Sequence, residues 1–470
     1  MLPARAEGVP DAPLTEQVLR QFDTPGPRYT SYPTADRFVE AFGPAEACLA
    51  LRQRTTGMAG SERPLSIYVH IPFCESLCYY CACNKIITRH HERAAQYLDA
   101  LEAEIGLVTA QLGTGHAVSQ LHFGGGSPTF MSDVELKRIV DSLQQAFRFS
   151  QNLEMSIEVD PRTVTPARLT YFRMLGFNRI SFGVQDFDPD VQQAVHRLQP
   201  YEMVSTLLES ARALGYRSTN VDLIYGLPKQ TPQSFARTIG QIGALRPDRI
   251  ALYAYAHLPT RFKPQRRILA DDLPDAGART TMLREAILAF RSRGYDYIGM
   301  DHFALASDSL SVARRQGRLH RNFQGYSTQP DCDLIGLGVS SIGRVGATYY
   351  QNAKTLPEYY DAVGQGQLPV VRGYSLTRDD VLRRAVIMAL MCQGWIEYES
   401  VELSHLVHFR DYFATELREL KAFEEAGLVH LEPHGVRVTA RGWYLVRAIA
   451  IVFDRHLRSD RARERFSKIV

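Results

Sequence analysis

The sequence predicts an α/β fold: a partial, six-unit parallel (β/α)6 barrel with an N-terminal arm and a C-terminal, mainly helical domain. Three observations predict it. Short apolar runs rich in β-branched residues alternate with longer amphipathic stretches from residue 65 to residue 256. Six such units in about 190 residues are too few for the eight-unit barrel. The glycine, thiol and carboxylate signals fall mostly at or just after the ends of the apolar runs, where parallel barrels place their chemistry.

The elements follow in order. Residues 1–60 read as an irregular arm, since PGPRYTSYPT concentrates Pro25, Gly26, Pro27 and Pro33 and such density disfavours regular structure. The strand candidates are LSIYVHI (65–71), VSQLHFG (118–124), LEMSIEV (153–159), RISFGVQ (179–185), TNVDLIYG (219–226) and RIALYAYA (249–256). Helical patterns such as YLDALEAEIGLVTAQL (97–112) and SDVELKRIVDSLQQAF (132–147) lie between them, as parallel βα units require. Residues 257–375 continue the same domain with mixed structure, including a helix near 279–293, YDYIGM (295–300) and DLIGLGVSSIG (333–343). From about 376 the pattern turns helical, with a short β-wing in LVHLE…VRVTARG. The expected boundaries are therefore 1–60, 61–375 and 376–470.

The totals narrow the function. The chain has 470 residues, 45% hydrophobic and 22% charged, with a net charge of +3. That near balance gives no support for a nucleic-acid binder, although a local basic pocket for a small anion remains compatible with it. The N-terminus lacks the apolar core of a signal peptide, and no run approaches the ~18 to 20 apolar residues of a membrane span. A cytoplasmic protein with no membrane or nucleic-acid partner is expected. Seven cysteines, four of them clustered, do not make a disulfide framework.

CESLCYYCACNK places Cys74, Cys78, Cys81 and Cys83 within ten residues. Thiolates are the usual ligands of iron–sulfur clusters, and three of them leave one iron of a four-iron cube free for a small molecule. Four thiolates around a structural zinc are the competing reading, but Cys81-x-Cys83 is tight for that geometry. Buried, unliganded thiols are the bland one, and free cysteines rarely gather on a loop. Gly125, Gly126 and Ser127 follow the second strand, where glycines permit close backbone approach. A lone GGG is usually just a turn; its place one unit after the cysteines raises its interest. GLGVSSIG near Ile342 has the wrong spacing for a dinucleotide fingerprint.

Cys74-x3-Cys78-x2-Cys81 after the first barrel strand resembles the radical S-adenosylmethionine (SAM) enzymes. The wider text carries the likeness further. PGPRYTSYPTA, YVHIPFC, CYYCACNK, HFGGGSPT, SIEVDP, FGVQDF, VDLIYGLP, YAHLP, MDHFAL, HRNFQGYSTQ and GLGVSSIG run in order from residue 25 to residue 343. Together they resemble the oxygen-independent coproporphyrinogen III oxidase (dehydrogenase) family, over most of the chain.

The resemblance implies that Cys74, Cys78 and Cys81 ligate a [4Fe–4S] cluster whose open iron takes the amine and carboxylate of SAM. Cys83 is then a spare thiol beside it. In that family one enzyme holds two SAM molecules, and this sequence retains residues matching both sites. Tyr68, Gly125, Glu158 and Ile342 would serve the first. Tyr80, Gly126, Ser127, Gln185, Arg197, Asp222 and Ala256 would serve the second. Read alone, Tyr68, Ala256 and Ile342 look like core, and Glu158, Gln185, Arg197 and Asp222 like paired rim residues. The family often has Thr where Ser127 stands; the hydroxyl is kept.

The implied chemistry begins with reduction of the cluster by a one-electron donor protein. SAM is then cleaved to a 5′-deoxyadenosyl radical, which takes hydrogen from a propionate β-carbon of coproporphyrinogen III. Loss of carbon dioxide and an electron leaves a vinyl group, and two such conversions give protoporphyrinogen IX in heme biosynthesis. Arg28, Arg321, Arg266 and Arg267 are candidates to meet the propionates, and the arm is expected to close over the site. A monomer is expected. The alternatives are a heme chaperone on the same barrel, against which Cys83, PRYTSYP and HRNFQGYSTQ argue, and a radical SAM enzyme with another substrate.

Overall fold

The computed structural model describes residues 18, 21–22, 24–56, 63–329 and 332–458. It divides into two compact units, Pro33–Thr377 and a second made of Met1–Tyr32 with Arg378–Val470. The boundary expected at residues 60 and 61, and the first 17 residues of the arm, lie outside the described residues.

One expectation fails within the arm. Pro44–Thr56 is a regular helix, α1, not an irregular segment. Its sequence, PAEACLALRQRTT, has a proline at the first position and strong helix formers after it. The Glu46 carboxylate accepts from the Gly43 amide at 2.8 Å and closes its first turn. The prolines that suggested disorder lie upstream of it.

The barrel strands are β1 (Leu65–Ile71), β2 (Ala117–Gly125), β3 (Arg148–Val159), β4 (Arg179–Gln185), β5 (Ser218–Tyr225) and β6 (Arg249–Ala254). They are followed by β7 (Tyr295–Gly299), β8 (His302–Leu305), β9 (Asp333–Leu337), β10 (Ile342–Val345), β11 (Thr348–Asn352) and β12 (Val370–Ser375). All twelve form one sheet, ordered β12-β11-β10-β9-β1-β2-β3-β4-β5-β6-β8-β7. From β9 through β1 to β6 every neighbouring pair is parallel. Both ends of the sheet continue antiparallel, so the barrel is partial. The helices α2 (Glu92–Leu112), α3 (Asp133–Ala146), α4 (Pro166–Met174), α5 (Tyr201–Ala213), α6 (Pro232–Leu245) and α7 (Ala276–Ser292) intervene. Ser132 and Thr231 close capping boxes at the starts of α3 and α6, which fixes where the chain leaves each βα loop.

Alternation along the strands decides what faces inward. In β4 the residues Ile180, Phe182 and Val184 are buried, while Arg179, Ser181 and Gln185 are half-buried. In β5 Val221, Leu223 and Tyr225 are buried, and Asn220 and Asp222 are half-buried on the opposite face. A strand period of two therefore packs one apolar face under the helices and turns a polar face to the lumen. The result is a cavity of about 160 Å³ lined by Gln120, His122, Glu154, Glu158, Arg179 and Asp222, among others.

The second unit pairs helices with a three-stranded antiparallel wing, Trp395–Glu397, Gly435–Val438 and Val429–Glu432. The arm's last turn belongs to it. Tyr29 and Tyr32 are fully buried there, Tyr29 Oη donates to Asp454 Oδ2 at 2.9 Å, and the Arg447 guanidinium donates to the Gly26 and Pro27 carbonyls. Among the described residues no helix is long and apolar enough to cross a membrane.

Candidate active site

The cysteine loop hangs from the end of β1 and is pinned at both ends. Phe73–Cys74 pairs in parallel with Ile86–Ile87, and the Thr88 amide donates to the Cys74 carbonyl at 2.9 Å. The eleven residues between therefore leave and return at one point. Inside the loop the Cys81 amide donates to the Cys78 carbonyl at 3.2 Å. Lys85 Nζ donates to the Cys81 carbonyl at 3.0 Å.

All four thiols are free. Burial pushes the Cys74 thiol up to about 12, and its neighbours Cys81 and Cys78 push the same way. The Cys83 thiol, donating to Cys81, brings Cys81 down to about 6, helped by Lys85. Cys83 itself is pushed well up by that hydrogen bond and by the charge on Cys81. It is exposed. Cys78 is buried and meets two guanidinium groups, Arg197 Nη1 at 3.4 Å and Arg162 Nη2 at 3.6 Å. Asp160 Oδ2 lies 3.1 Å from Arg197 and 2.7 Å from Arg162.

These residues fit an iron–sulfur cluster held by thiolates. Three neighbouring thiols share a loop with the cationic groups of Lys85, Arg162 and Arg197 beside them, and cations next to a cysteine favour a thiolate ligand. Arg197 Nε is buried with no partner among the described residues, so it can still receive a ligand.

The glycine loop lies against the cysteine loop. The Gly126 amide donates to Ile71 at 2.7 Å and the Ser127 amide to Phe73 at 2.8 Å. Those two amides are therefore engaged in joining the loops, not free to hold a ligand as close backbone approach alone suggested. Their glycines are required by space. A Cβ on Gly126 would stand 2.7 Å from the Pro72 carbonyl oxygen. One on Gly125 would stand 2.7 Å from the His70 ring, at a φ of +119°. Ser127 Oγ lies 2.9 Å from Thr129 Oγ1.

Beneath this loop the lumen groups form a chain. Tyr68 Oη is 3.1 Å from His70 Nδ1, and the Tyr68 ring stacks on His122 at 5.8 Å and 18°. His122 reaches Ser156 Oγ at 2.6 Å through Nδ1 and Glu158 Oε1 at 3.2 Å through Nε2. Glu158 Oε2 accepts from the Gly125 amide at 3.3 Å. Burial works against ionised Glu158, but His122 and the Gly125 amide hold its carboxyl below the usual value. Burial and the Glu158 charge push Asp222 up to about 6, although Ser181 and Asn220 both donate to it, at 2.9 Å each.

Asp222 gives a pH prediction. Its folded pKa lies above its unfolded value of 3.8. The folded state therefore holds more protons as pH rises through that window, and stability is lost until Asp222 is ionised. Between pH 4 and pH 7.5 the wild type is expected to lose on the order of 3 kcal/mol more than Asp222→Asn. Denaturant unfolding of both proteins at the two pH values reads the difference, and equal losses would show that Asp222 titrates normally.

The remaining predicted residues sort clearly. Arg197 Nη2 donates to the Gly183 carbonyl at 2.6 Å, and a Cβ on Gly183 would stand 3.1 Å from both Arg197 and Gln185. Those three therefore meet at the end of β4, where Gln185 holds a φ of +69°. Tyr80 packs in an apolar cluster with Val191, Val195, Leu227, Tyr255 and Ile268. Ala256 does not close β6, which ends at Ala254; it sits two residues into the loop. Ile342 opens β10, opposite Gln351. Of the substrate candidates, Arg321 is buried over the Tyr326 ring at 4.6 Å. Arg266 and Arg267 are exposed but engaged with the Pro259 carbonyl and Tyr79. Arg28 belongs to the other unit.

Sequence reading passed over His122, Ser156, Asp160 and Arg162. A signal for the first two was present. HFG and EMSIE carry polar residues two apart on successive strands, a lumen-facing stripe. Nothing local marks Asp160 and Arg162, which matter because the fold brings them to Cys78.

Comparison with known proteins agrees with this geometry. The Radical SAM superfamily model matches residues 68–242, and the HemN C-terminal domain model matches residues 376–445. The oxygen-independent coproporphyrinogen III oxidase of Escherichia coli strain K12 is 48% identical over 453 residues, covering 96% of this chain and 98% of the relative. The enzyme of the same name from Helicobacter pylori strain 26695 is 43% identical over 449 residues, covering 95% and 97%. The solved structure of the Escherichia coli coproporphyrinogen III oxidase HemN, described as a radical SAM enzyme, superposes with a TM-score of 0.87 at 48% identity. It covers 91% of this chain and 97% of that one.

Proposed function

The chain belongs to the oxygen-independent coproporphyrinogen III oxidases, radical SAM enzymes of heme biosynthesis, and from that premise we propose how its residues divide the reaction. The reaction is oxidative decarboxylation of two propionates of coproporphyrinogen III to vinyl groups, giving protoporphyrinogen IX. The observation that carries the assignment of residues is the meeting of a three-thiol loop, a glycine loop and the lumen carboxylates at the same strand ends.

Cys74, Cys78 and Cys81 would hold a [4Fe–4S] cluster, with Arg162, Arg197 and Lys85 balancing its thiolate charge. When bound, the cluster and SAM supply one-electron cleavage and a carbon radical that removes hydrogen; the protein's part is to bind, orient and shield. Two SAM sites are part of the proposal. Tyr68, Gly125, Glu158 and Ile342 frame the first. Glu158, kept ionised by His122, suits hydroxyl or ammonium donors. Tyr80, Gly126, Ser127, Gln185, Arg197, Asp222 and Ala256 frame the second, where the unpartnered Arg197 Nε suits a carboxylate. An external one-electron donor protein, a monomeric state and a cytoplasmic location complete the reading.

His122 earns a role through Glu158. His122→Ala is expected to raise the KM for SAM about tenfold, the worth of one hydrogen bond to a charged group. His122→Gln, which keeps a donor, should recover part of it. Equal KM values in all three proteins would remove that role.

Anaerobic turnover tests the whole reading. Reconstituted protein given SAM, a reductant, an electron acceptor and coproporphyrinogen III should form protoporphyrinogen IX, followed by chromatography. SAM cleavage without any tetrapyrrole change would remove the substrate. Tight heme binding without turnover would reassign the protein to heme delivery.

A further inference from the structure

A helix packed on a sheet turns its i, i+3, i+4 and i+7 positions to the core. On α2 those positions carry Leu98, Leu101, Ile105 and Val108, all buried. Glu104 stands in the same stripe and is only 2% exposed. A carboxylate at a core position is costly unless it is well bonded, and chains break their own pattern mostly at functional sites.

The bonds of Glu104 converge on the turn between β9 and β10. Its Oε2 accepts from the Gly338 amide at 2.7 Å and from the Tyr359 hydroxyl at 2.7 Å. Its Oε1 accepts from Asn352 Nδ2 at 2.6 Å. Asn352 Nδ2 also donates to the Gly338 carbonyl and to Ser341 Oγ, at 3.0 Å each. Ser341 Oγ donates back to the Gly338 carbonyl at 2.8 Å. Both oxygens of Glu104 therefore meet donors only. Inside the turn Ser340 holds a φ of +63°, a conformation that persists in a non-glycine residue only where its surroundings fix it. Ile342 follows two residues later.

Tyr97 lies seven residues before Glu104, about two turns along the same face of α2. It is fully buried, and its hydroxyl accepts from the Val339 amide at 3.1 Å and donates to the His70 carbonyl at 2.6 Å. The His70 ring touches Tyr68 and backs Gly125. Strands β9 and β1 are parallel neighbours, with Gly336 opposite Tyr68. One face of α2 thus ties together the two sides of the first SAM site, Ile342 on one and Tyr68 with Gly125 on the other.

We propose that Glu104, together with Tyr97, is a positioning residue for SAM: it sets the 338–341 turn so that Ile342 and the Tyr68 side face the same ligand. The role rests on the first-site reading above and adds the buried groups that hold that site in shape. Neither side chain touches SAM in this role; each acts through the backbone it fixes.

The test uses full-length, cluster-reconstituted protein and labelled SAM in equilibrium dialysis, with no tetrapyrrole present. Glu104→Gln keeps the shape of the side chain but sets an NH2 against a donor whichever way its amide lies. It is expected to bind SAM at least about tenfold more weakly than wild type, the worth of a hydrogen bond to a charged group. In turnover the loss should appear in the KM for SAM rather than in kcat. Tyr359→Phe is the control, because it removes a bond to the same carboxylate that comes from the helix Leu356–Gly364 and not from the turn. It should lower stability in denaturant unfolding and bind SAM as wild type does. Tyr97→Phe deletes one hydroxyl and is expected to weaken SAM binding about threefold, as for an uncharged hydrogen bond. Circular dichroism and iron content show that each variant is folded and loaded. Wild-type SAM affinity in Glu104→Gln would overturn the role, and if that variant does not fold, wild-type affinity in Tyr97→Phe would overturn it. So would an equal loss of SAM binding in Tyr359→Phe, which would make the network a scaffold alone. Wild-type protein that binds no SAM would remove the first-site reading itself and this role with it.

Discussion

Cys78→Ala is expected to leave reconstituted protein with almost no iron or sulfide after desalting, and with no product above background. Cys78 is the buried member of the trio, and its sulfur is the one that meets both Arg197 and Arg162. Removing it deletes one of three ligands. It also leaves two guanidinium groups facing each other across Asp160 alone, and a buried charge that loses its partner is costly. Cys83→Ser should behave differently, because Cys83 lies outside the three-ligand spacing, on the solvent side of the loop. That variant should keep its iron. Iron and sulfide analysis with the visible absorption spectrum checks both. Equal iron in Cys78→Ala and wild type would dismiss Cys78 as a ligand. Loss of iron in Cys83→Ser would make Cys83 a ligand and revive a four-thiolate site.

Gly125→Ala is expected to destabilise the ligand-free protein by on the order of 2–4 kcal/mol and to abolish first-site SAM binding. Two costs combine. The backbone sits at a φ of +119°, outside the range L side chains adopt without strain. The new methyl would also stand 2.7 Å from the His70 ring and 2.9 Å from the Ile71 carbonyl oxygen, and a packed site cannot absorb that without moving. His70 cannot retreat freely, because Tyr68 and the Asn84 carbonyl hold its two ring nitrogens. The strain therefore passes to Tyr68 and to the loop holding Cys83. Denaturant unfolding measures the first effect and equilibrium dialysis with labelled SAM the second. Wild-type stability in this variant would show that the loop is softer than its contacts indicate. By contrast Gly115→Ala also sits at positive φ, but a Cβ there meets nothing within 4 Å. It should cost only the backbone strain, on the order of 1 kcal/mol.

The sequence alone determined the parallel barrel, because strand and helix periods are local properties of the chain. LSIYVHI and RISFGVQ match β1 and β4 end to end. It also determined the cysteine loop, since ligands a few residues apart need no tertiary fold to be seen together, and the ordered motifs of residues 25–343 pointed to the family that the comparisons support. It erred where local composition misleads. The Pro- and Gly-rich start of the arm masked the helix at Pro44–Thr56, and RIALYAYA ran two residues past the end of β6.

Only the tertiary structure decided which groups face one another. Arg197 and Arg162 lie 119 and 84 residues from Cys78, yet both guanidinium groups reach its sulfur. His122 and Glu158 meet because neighbouring strands align His122 with Ser156, two residues before Glu158. The Gly126 and Ser127 amides, free by sequence, are engaged by Ile71 and Phe73. Hydrogen bonds and charge interactions act over a few ångströms of space, and the chain reveals such distances only after it has folded.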